Sequence, residues 1–144
     1  MTEDPAFRRV NGGGQFTLGL HLSGASLAEV VAVYHAADFT PVTDSRPARS
    51  GEVLILQVKA NWPTTPFLQE GKVFSGESFQ TPVIPVEALV NDAPVEVVNN
   101  LGWPGTRDRY RVDIRIPSGL APGAAKLQLN GAYLPGLPSN LPVQ

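Results

Sequence analysis

Proline and glycine interrupt this chain so often that no long helix fits into it. Each occurs fourteen times in 144 residues. A helix interior loses about 3 kcal/mol to a proline and about 1 kcal/mol to a glycine. From Pro41 to Pro142 the prolines separate short apolar stretches. Short stretches between turn-forming residues predict an all-β domain.

The periodicity agrees. Tyr110, Val112, Ile114 and Ile116 alternate with Arg109, Arg111, Asp113 and Arg115, which predicts a strand with one buried and one solvated face. Val53, Leu54, Ile55 and Leu56 form an unbroken apolar run, the pattern of a strand covered on both sides. Ile84, Val86, Ala88 and Val90 alternate with Pro85, Glu87 and Leu89. Asn91 and Asp92 tolerate the left-handed region, so a tight turn there predicts a hairpin with residues 94–98 as its second arm. Residues 126–129 alternate again, Asn130-Gly131 behind them signals a turn, and residues 117–123 read as a tight connection.

Residues 26–37 carry two patterns. Leu27, Val30, Val31 and Tyr34 fit a helix opened by a Ser26/Glu29 capping box, whereas Val30, Val31 and Val33 fit a strand. The β character of the surrounding chain favours the strand. Phe16 to Leu22 reads as a further strand. Residues 60–81, with Trp62, Phe67, Phe74 and Phe79, read as an ordered loop. Residues 1–14, ending in three glycines, read as a flexible leader, and 15–144 as a single domain. No internal repeat is visible.

Composition narrows the function. At 15.4 kDa the chain is sized for one domain with its own core. Apolar residues make up 42% and charged residues 17%, which is not a disordered composition. No apolar run reaches the roughly eighteen residues of a spanning helix, so membrane insertion is not expected. A net charge of −2 and a pI near 5.6 argue against nucleic acid as a partner. The absence of cysteine excludes disulfides, thiol catalysis and cysteine zinc sites. No basic segment followed by an apolar one precedes a small-residue cleavage site, so no signal peptide is expected.

Several phrases occur in a recognisable order. Residues 34–43, Tyr-His-Ala-Ala-Asp-Phe-Thr-Pro-Val-Thr, are followed by Arg46-Pro47-Ala48-Arg49-Ser50-Gly51-Glu52-Val53-Leu54. Val86-Glu87-Ala88-Leu89-Val90-Asn91 leads to Ala93-Pro94-Val95-Glu96-Val97, and Gly102-Trp103-Pro104-Gly105-Thr106 leads to Asp108-Arg109-Tyr110-Arg111-Val112-Asp113. Ile116-Pro117-Ser118-Gly119 and the terminal Leu141-Pro142-Val143-Gln144 close the series. Over residues 30–144 the chain resembles an uncharacterised C-terminal domain of large secreted acidobacterial proteins, itself similar to immunoglobulin-like IPT/TIG sandwiches. The resemblance implies a β-sandwich, an extracellular or cell-surface setting, and no catalytic residue or cofactor. The chain departs from the pattern after residue 58, where Lys59-Ala60-Asn61-Trp62-Pro63 replaces an expected Thr-Gly-Leu-Gly turn. The expected fold is an immunoglobulin-like β-sandwich of about seven or eight mostly antiparallel strands. Its expected core is Val53, Ile55, Val86, Val97, Tyr110, Val112, Ile114, Leu127 and Leu129.

The chemistry-bearing residues each have a plain structural reading. His35 with Asp38 and Asp44 has no metal-ligand spacing and reads as a strand end before a turn. Asp38, Asp44, Asp92 and Asp108 fall in turns, where aspartate bonds its own backbone as readily as it binds calcium. Arg107, Arg109, Arg111 and Arg115 form a row that fits an anionic polymer, or a solvated face paired to Glu52, Glu87 or Glu96. No Gly-x-Ser-x-Gly elbow is present, Glu77 has no carboxylate partner at a meaningful spacing, and Gly12-Gly13-Gly14 lacks the lysine of a phosphate loop.

Trp62, Trp103 and Tyr133 are the best candidate ligand-binding residues, since loop aromatics stack on sugar rings or anchor protein interfaces. The competing reading has the tryptophans capping the core. The expected function is therefore a non-catalytic extracellular structural or interaction module. Its partners would be other protein domains or copies of itself, joined by edge pairing or by a donated strand carrying Phe16, Leu18, Leu20 and Leu22. A polysaccharide bound by the loop aromatics is the alternative. No metal, cofactor or catalytic residue is assigned.

Overall fold

Ten strands carry the described part of the chain, residues 27–77 and 79–144 of a computed structural model. They are β1 (Glu29–His35), β2 (Val53–Lys59), β3 (Thr64–Thr65), β4 (Thr81–Pro82) and β5 (Val86–Val90). There follow β6 (Ala93–Val95), β7 (Val97–Gly102), β8 (Arg109–Arg115), β9 (Gly123–Gly131) and β10 (Ser139–Val143). Among the described residues no helix is long and apolar enough to cross a membrane.

Eight of these strands form two four-stranded sheets, ordered β1-β2-β8-β7 and β10-β9-β5-β6, and β3 pairs β4 in a separate clasp. All strand pairs are antiparallel. Lettered along the chain, the sheets read A-B-E-D and G-F-C-C′, the order of an immunoglobulin-like sandwich. Ala48 adds a parallel bridge to Val143 outside β10.

The two inner faces make the core. Leu54, Leu56 and Val58 of β2 and Tyr110, Val112 and Ile114 of β8 point inward and are at most 1% exposed. They face Ala88, Val90, Leu127, Leu129, Leu141 and Val143 of the other sheet in one apolar cluster. Each fully buried Leu, Ile or Val contributes about 1.5–3 kcal/mol, so this cluster holds the sheets together. Of the expected core, Tyr110, Val112, Ile114, Leu127 and Leu129 are buried here. Val53, Val86 and Val97 are only half-buried, because each is the first residue of its strand and lies at the sandwich rim. Ile55 is buried on the opposite face of its sheet, which is why the run Val53–Leu56 is apolar throughout.

Several boundaries differ from the sequence reading. Residues 29–35 are a strand. Asn91 and Asp92 make the expected left-handed turn, with φ of 52° and 67°. The returning arm, however, lasts only three residues, and at Glu96 the chain crosses to the other sheet as β7. Asn130-Gly131 is not a turn. β9 runs through it, and the turn falls on Ala132 and Tyr133, at φ 52° and 65°. Gly131 is required there for space, since a Cβ would sit 2.8 Å from Cε2 of Trp62. Residues 60–81 are mostly loop, as expected, but the β3–β4 clasp pins their ends. The proposed donor strand Phe16–Leu22, the leader 1–14 and the 14/15 boundary lie outside the described residues.

The sheet edges are blunted. Pro41 bridges Tyr34 and Val42 N–H donates to Val33 O at 2.9 Å, covering the end of β1, whose other half carries a bulge. Gly102 N–H donates to Gln80 O at 2.8 Å, and β7 is bulged between Val97 and Asn99. Ala48 N–H donates to Pro142 O at 2.9 Å beside β10. The short β6 contains Pro94, which has no N–H to offer a neighbour.

Candidate functional site

The long connection from β2 to β5 builds a cleft at one end of the sandwich. Trp62 follows β2 and is 7% exposed. Its backbone N–H donates to the Tyr110 hydroxyl at 2.9 Å, and that hydroxyl donates back to the Trp62 carbonyl at 2.8 Å. The Trp62 and Phe74 rings pack on the Tyr110 ring at centroid distances of 4.7 and 5.4 Å. A cleft of about 370 Å³ opens over them, walled further by Phe67, Leu68, Thr64 and Arg107. A second cleft of about 600 Å³, between Leu27, Lys59, Asp108 and Leu137, shares Asn61 and Arg107 with the first. The Arg107 guanidinium donates to Lys72 O at 2.8 Å and the Thr64 hydroxyl to Pro66 O at 3.0 Å. The Tyr110 hydroxyl is engaged too, so the first cleft has an aromatic floor and walls that mix apolar side chains with Asn61, Thr64 and Arg107. Beside it, Phe67 is 76% exposed, and Val73, Phe79 and Val83 are each more than half exposed.

Trp103 belongs to a different surface. It continues β7, with its N–H donating to Arg109 O at 3.0 Å, on the outward face of the β1-β2-β8-β7 sheet. Its ring lies 6.2 Å from Phe39 and 6.4 Å from Tyr34, which is 4.5 Å from Phe39. Phe39 is half exposed at φ 57°. A bulky residue held in the left-handed region costs of order 1–3 kcal/mol, so the surrounding loop must impose it. Phe39 N–H donates to His35 O at 2.7 Å and His35 N–H to Thr40 O at 2.8 Å. Arg46 binds Asp38 at 2.7 Å and also the Thr40 hydroxyl. The Arg46 hydrogen bond, with a second from Thr40, holds the Asp38 carboxyl down at a pKa of about 2.

Tyr133 is 73% exposed in the turn after Gly131, on the Trp62 end of the sandwich, and lines neither cleft there. The three aromatics chosen from sequence are therefore not one site: Trp62 is a core residue that floors the cleft, Trp103 joins the outer face, and Tyr133 stands apart. The sequence reading missed Tyr34 and Phe39 as partners of Trp103 and Phe67 as the cleft rim. The proximity of Tyr34 and Phe39 in the chain was the available signal.

The polar candidates are engaged in structure. His35 is 3% exposed, its Nδ1 pairs with Glu52 and its Nε2 donates to Arg46 O at 3.0 Å. Glu52 also accepts from Arg49 N–H at 2.9 Å, tying β1, the 46–49 segment and β2 into one corner. Asp92 pairs with Lys126 at 2.6 Å. Along the arginine row, Arg115 pairs with Glu96 at 3.2 Å. Arg111 forks onto Asp113 at 2.9 and 3.0 Å, which pushes its already high pKa upward. Arg107 lies in the loop before β8 and leaves the row. Among the described residues, no group of three or more His, Asp or Glu side chains is placed to hold a metal ion. Compared with known proteins, the chain matches no family, no curated relative and no solved structure.

Proposed function

We propose that this chain is a non-catalytic, extracellular interaction module that docks a second copy of itself through the 64–83 excursion. The observation that carries this is the exposure of Phe67, Val73, Phe79 and Val83, four large apolar side chains on one stretch of chain. Large apolar side chains left exposed over one stretch of chain favour an interaction surface there. The cleft over Trp62, Leu68 and Phe74 has the exposed Phe67 at its rim, so the same surface offers both a protruding ring and a recess. A self-complementary patch is what a two-fold pair requires. The blunted edges favour docking through side chains over edge pairing. The extracellular setting follows from the resemblance to exported acidobacterial domains.

Sedimentation velocity from micromolar to millimolar concentration tests this. The wild-type chain should show a rising mass, and the Phe67→Ser/Phe79→Ser double variant should remain at 15.4 kDa with its thermal midpoint unchanged. A wild-type mass that stays monomeric throughout, or association that survives the double substitution, overturns the proposal.

A further inference from the structure

The turn that follows β9 carries strain that packing does not explain. Leu134 N–H donates to Gly131 O at 2.9 Å, which closes a two-residue turn on Ala132 and Tyr133. Both central residues are left-handed, at φ 52° and 65°. A turn of this shape favours Asn-Gly, because a bulky side chain fits the left-handed region poorly. That dipeptide stands two positions earlier, as Asn130-Gly131, where the glycine answers to the Trp62 ring. Ala132 and Tyr133 are both exposed, so no contact inside the domain dictates which residues hold the turn. The outcome is a tyrosine, 73% exposed, fixed at the tip of a tight turn. Strain of this kind gathers where a residue serves a site.

The place of the turn bears on what the ring meets. Ala132 N–H donates to Pro85 O at 2.9 Å, which seats the turn beside the end of the 64–83 excursion, where Val83 is more than half exposed. Leu134 and Leu137 continue the apolar surface, both of them exposed. Leu137 is also a wall of the 600 Å³ cleft, with Leu27 and Ala60 as its other apolar walls and Lys59, Asn61 and Asp108 among its polar ones. A cleft with both kinds of wall matches a tyrosine, which has an apolar ring and a polar tip. Tyr133 does not line that cleft in its own chain. A surface that carries a fixed ring and, beside it, a recess of matching character that the ring does not fill is complementary to a second copy of itself.

We propose that Tyr133 anchors the self-docked pair, its ring entering the cleft beside Leu137 of the second copy. The inference rests on self-docking through the 64–83 excursion and names a contact outside that stretch. Sedimentation velocity of the full chain, with thermal unfolding of the same samples, tests it. Tyr133→Gly suits the left-handed turn and removes the ring. Its thermal midpoint should rise, while the dissociation constant of the pair should rise by at least about tenfold, the scale of a hot-spot side chain. Leu137→Asp puts a charge into the cleft wall and should weaken the pair by a similar factor. Combined, the two substitutions should cost little more than either alone, because they remove one contact from its two sides. A wild-type chain that stays monomeric overturns the 64–83 reading and this inference with it. If the wild type associates and Phe67→Ser/Phe79→Ser does not, but Tyr133→Gly pairs as tightly as the wild type, this inference alone falls. It falls too if Tyr133→Gly loses association only together with its thermal midpoint, or if the losses in Tyr133→Gly and Leu137→Asp simply add.

Discussion

Replacing Tyr110 with phenylalanine isolates the joint that fixes the cleft floor. The ring is 1% exposed and packs between Trp62 and Phe74. Phenylalanine keeps that packing and leaves almost no cavity. It removes the hydroxyl that satisfies both backbone groups of Trp62, at 2.9 and 2.8 Å. Each buried, unsatisfied polar group costs about 1–3 kcal/mol, so the variant should lose about 2–4 kcal/mol. Urea unfolding followed by tryptophan fluorescence measures this, with the midpoint falling and the slope unchanged. Burial raises the Tyr110 pKa above 10.0, with the Asp108 charge adding to it and the Trp62 hydrogen bond opposing it. A raised folded pKa means that the stabilisation is fully present below pH 10 and lost as pH climbs through the folded value. Above pH 10 the wild type should therefore lose stability that Tyr110→Phe no longer has to lose. A stability loss under about 0.5 kcal/mol, the scale of an inconsequential surface change, refutes the reasoning, as does an identical alkaline profile for the two proteins.

Other perturbations probe other joints. At Gly136 a Cβ would lie on the Leu129 carbonyl oxygen and 2.8 Å from that of Ala28, so Gly136→Ala must move backbone. It should cost at least about 1–3 kcal/mol in urea unfolding, the usual penalty for overpacking. His35→Ala leaves Glu52 and the Arg46 carbonyl in a buried corner without their partner and should cost about 3 kcal/mol by the same assay. In Arg46→Gln, the Asp38 carboxyl should titrate above its wild-type value of about 2 by carbon-detected NMR, with the Thr40 hydrogen bonds still holding it down. The Asp38 contribution is present above pH 3.8 and lost as pH falls through about 2, so the stability difference between the wild type and Arg46→Gln should hold above that window and shrink as pH falls through it.

What the sequence discloses here depends on how far apart the interacting residues lie. The alternation of 109–115 gives both faces of β8, because side-chain direction in a strand is a local property. The turn at Asn91-Asp92 is equally local. Asn130-Gly131 misleads because its glycine answers to Trp62, nearly seventy residues away in the chain, and not to its own turn. The crossing at Glu96 is invisible for the same reason: β6 and β7 follow each other in the chain and are separated only by which sheet each joins. The candidate aromatics suffered most. Trp62 and Trp103 both precede proline, and nothing local says that one ring turns into the core and the other out over the sheet.

Where this chain violates its own local rules, the violations converge. Ile55 and Leu101 are apolar on an outward face, Phe39 has a backbone conformation that bulky residues avoid, and Arg109 buries a nitrogen without a hydrogen bond. Any one of these alone is a packing accident of small cost. Ile55, Leu101 and Arg109 lie on three adjacent strands of one sheet, and Phe39 joins the same face through Tyr34 and Trp103. Inconsistencies retained against stability tend to gather where a surface has a second task. The core face of the same sheet shows the contrast: Leu54, Leu56, Val58, Val112 and Ile114 obey every rule and are fully buried. The two faces of one sheet are thus under different demands. The inner face maximises packing, and the outer face tolerates a strained Phe39 and buries Ile55 and Leu101 outside the core.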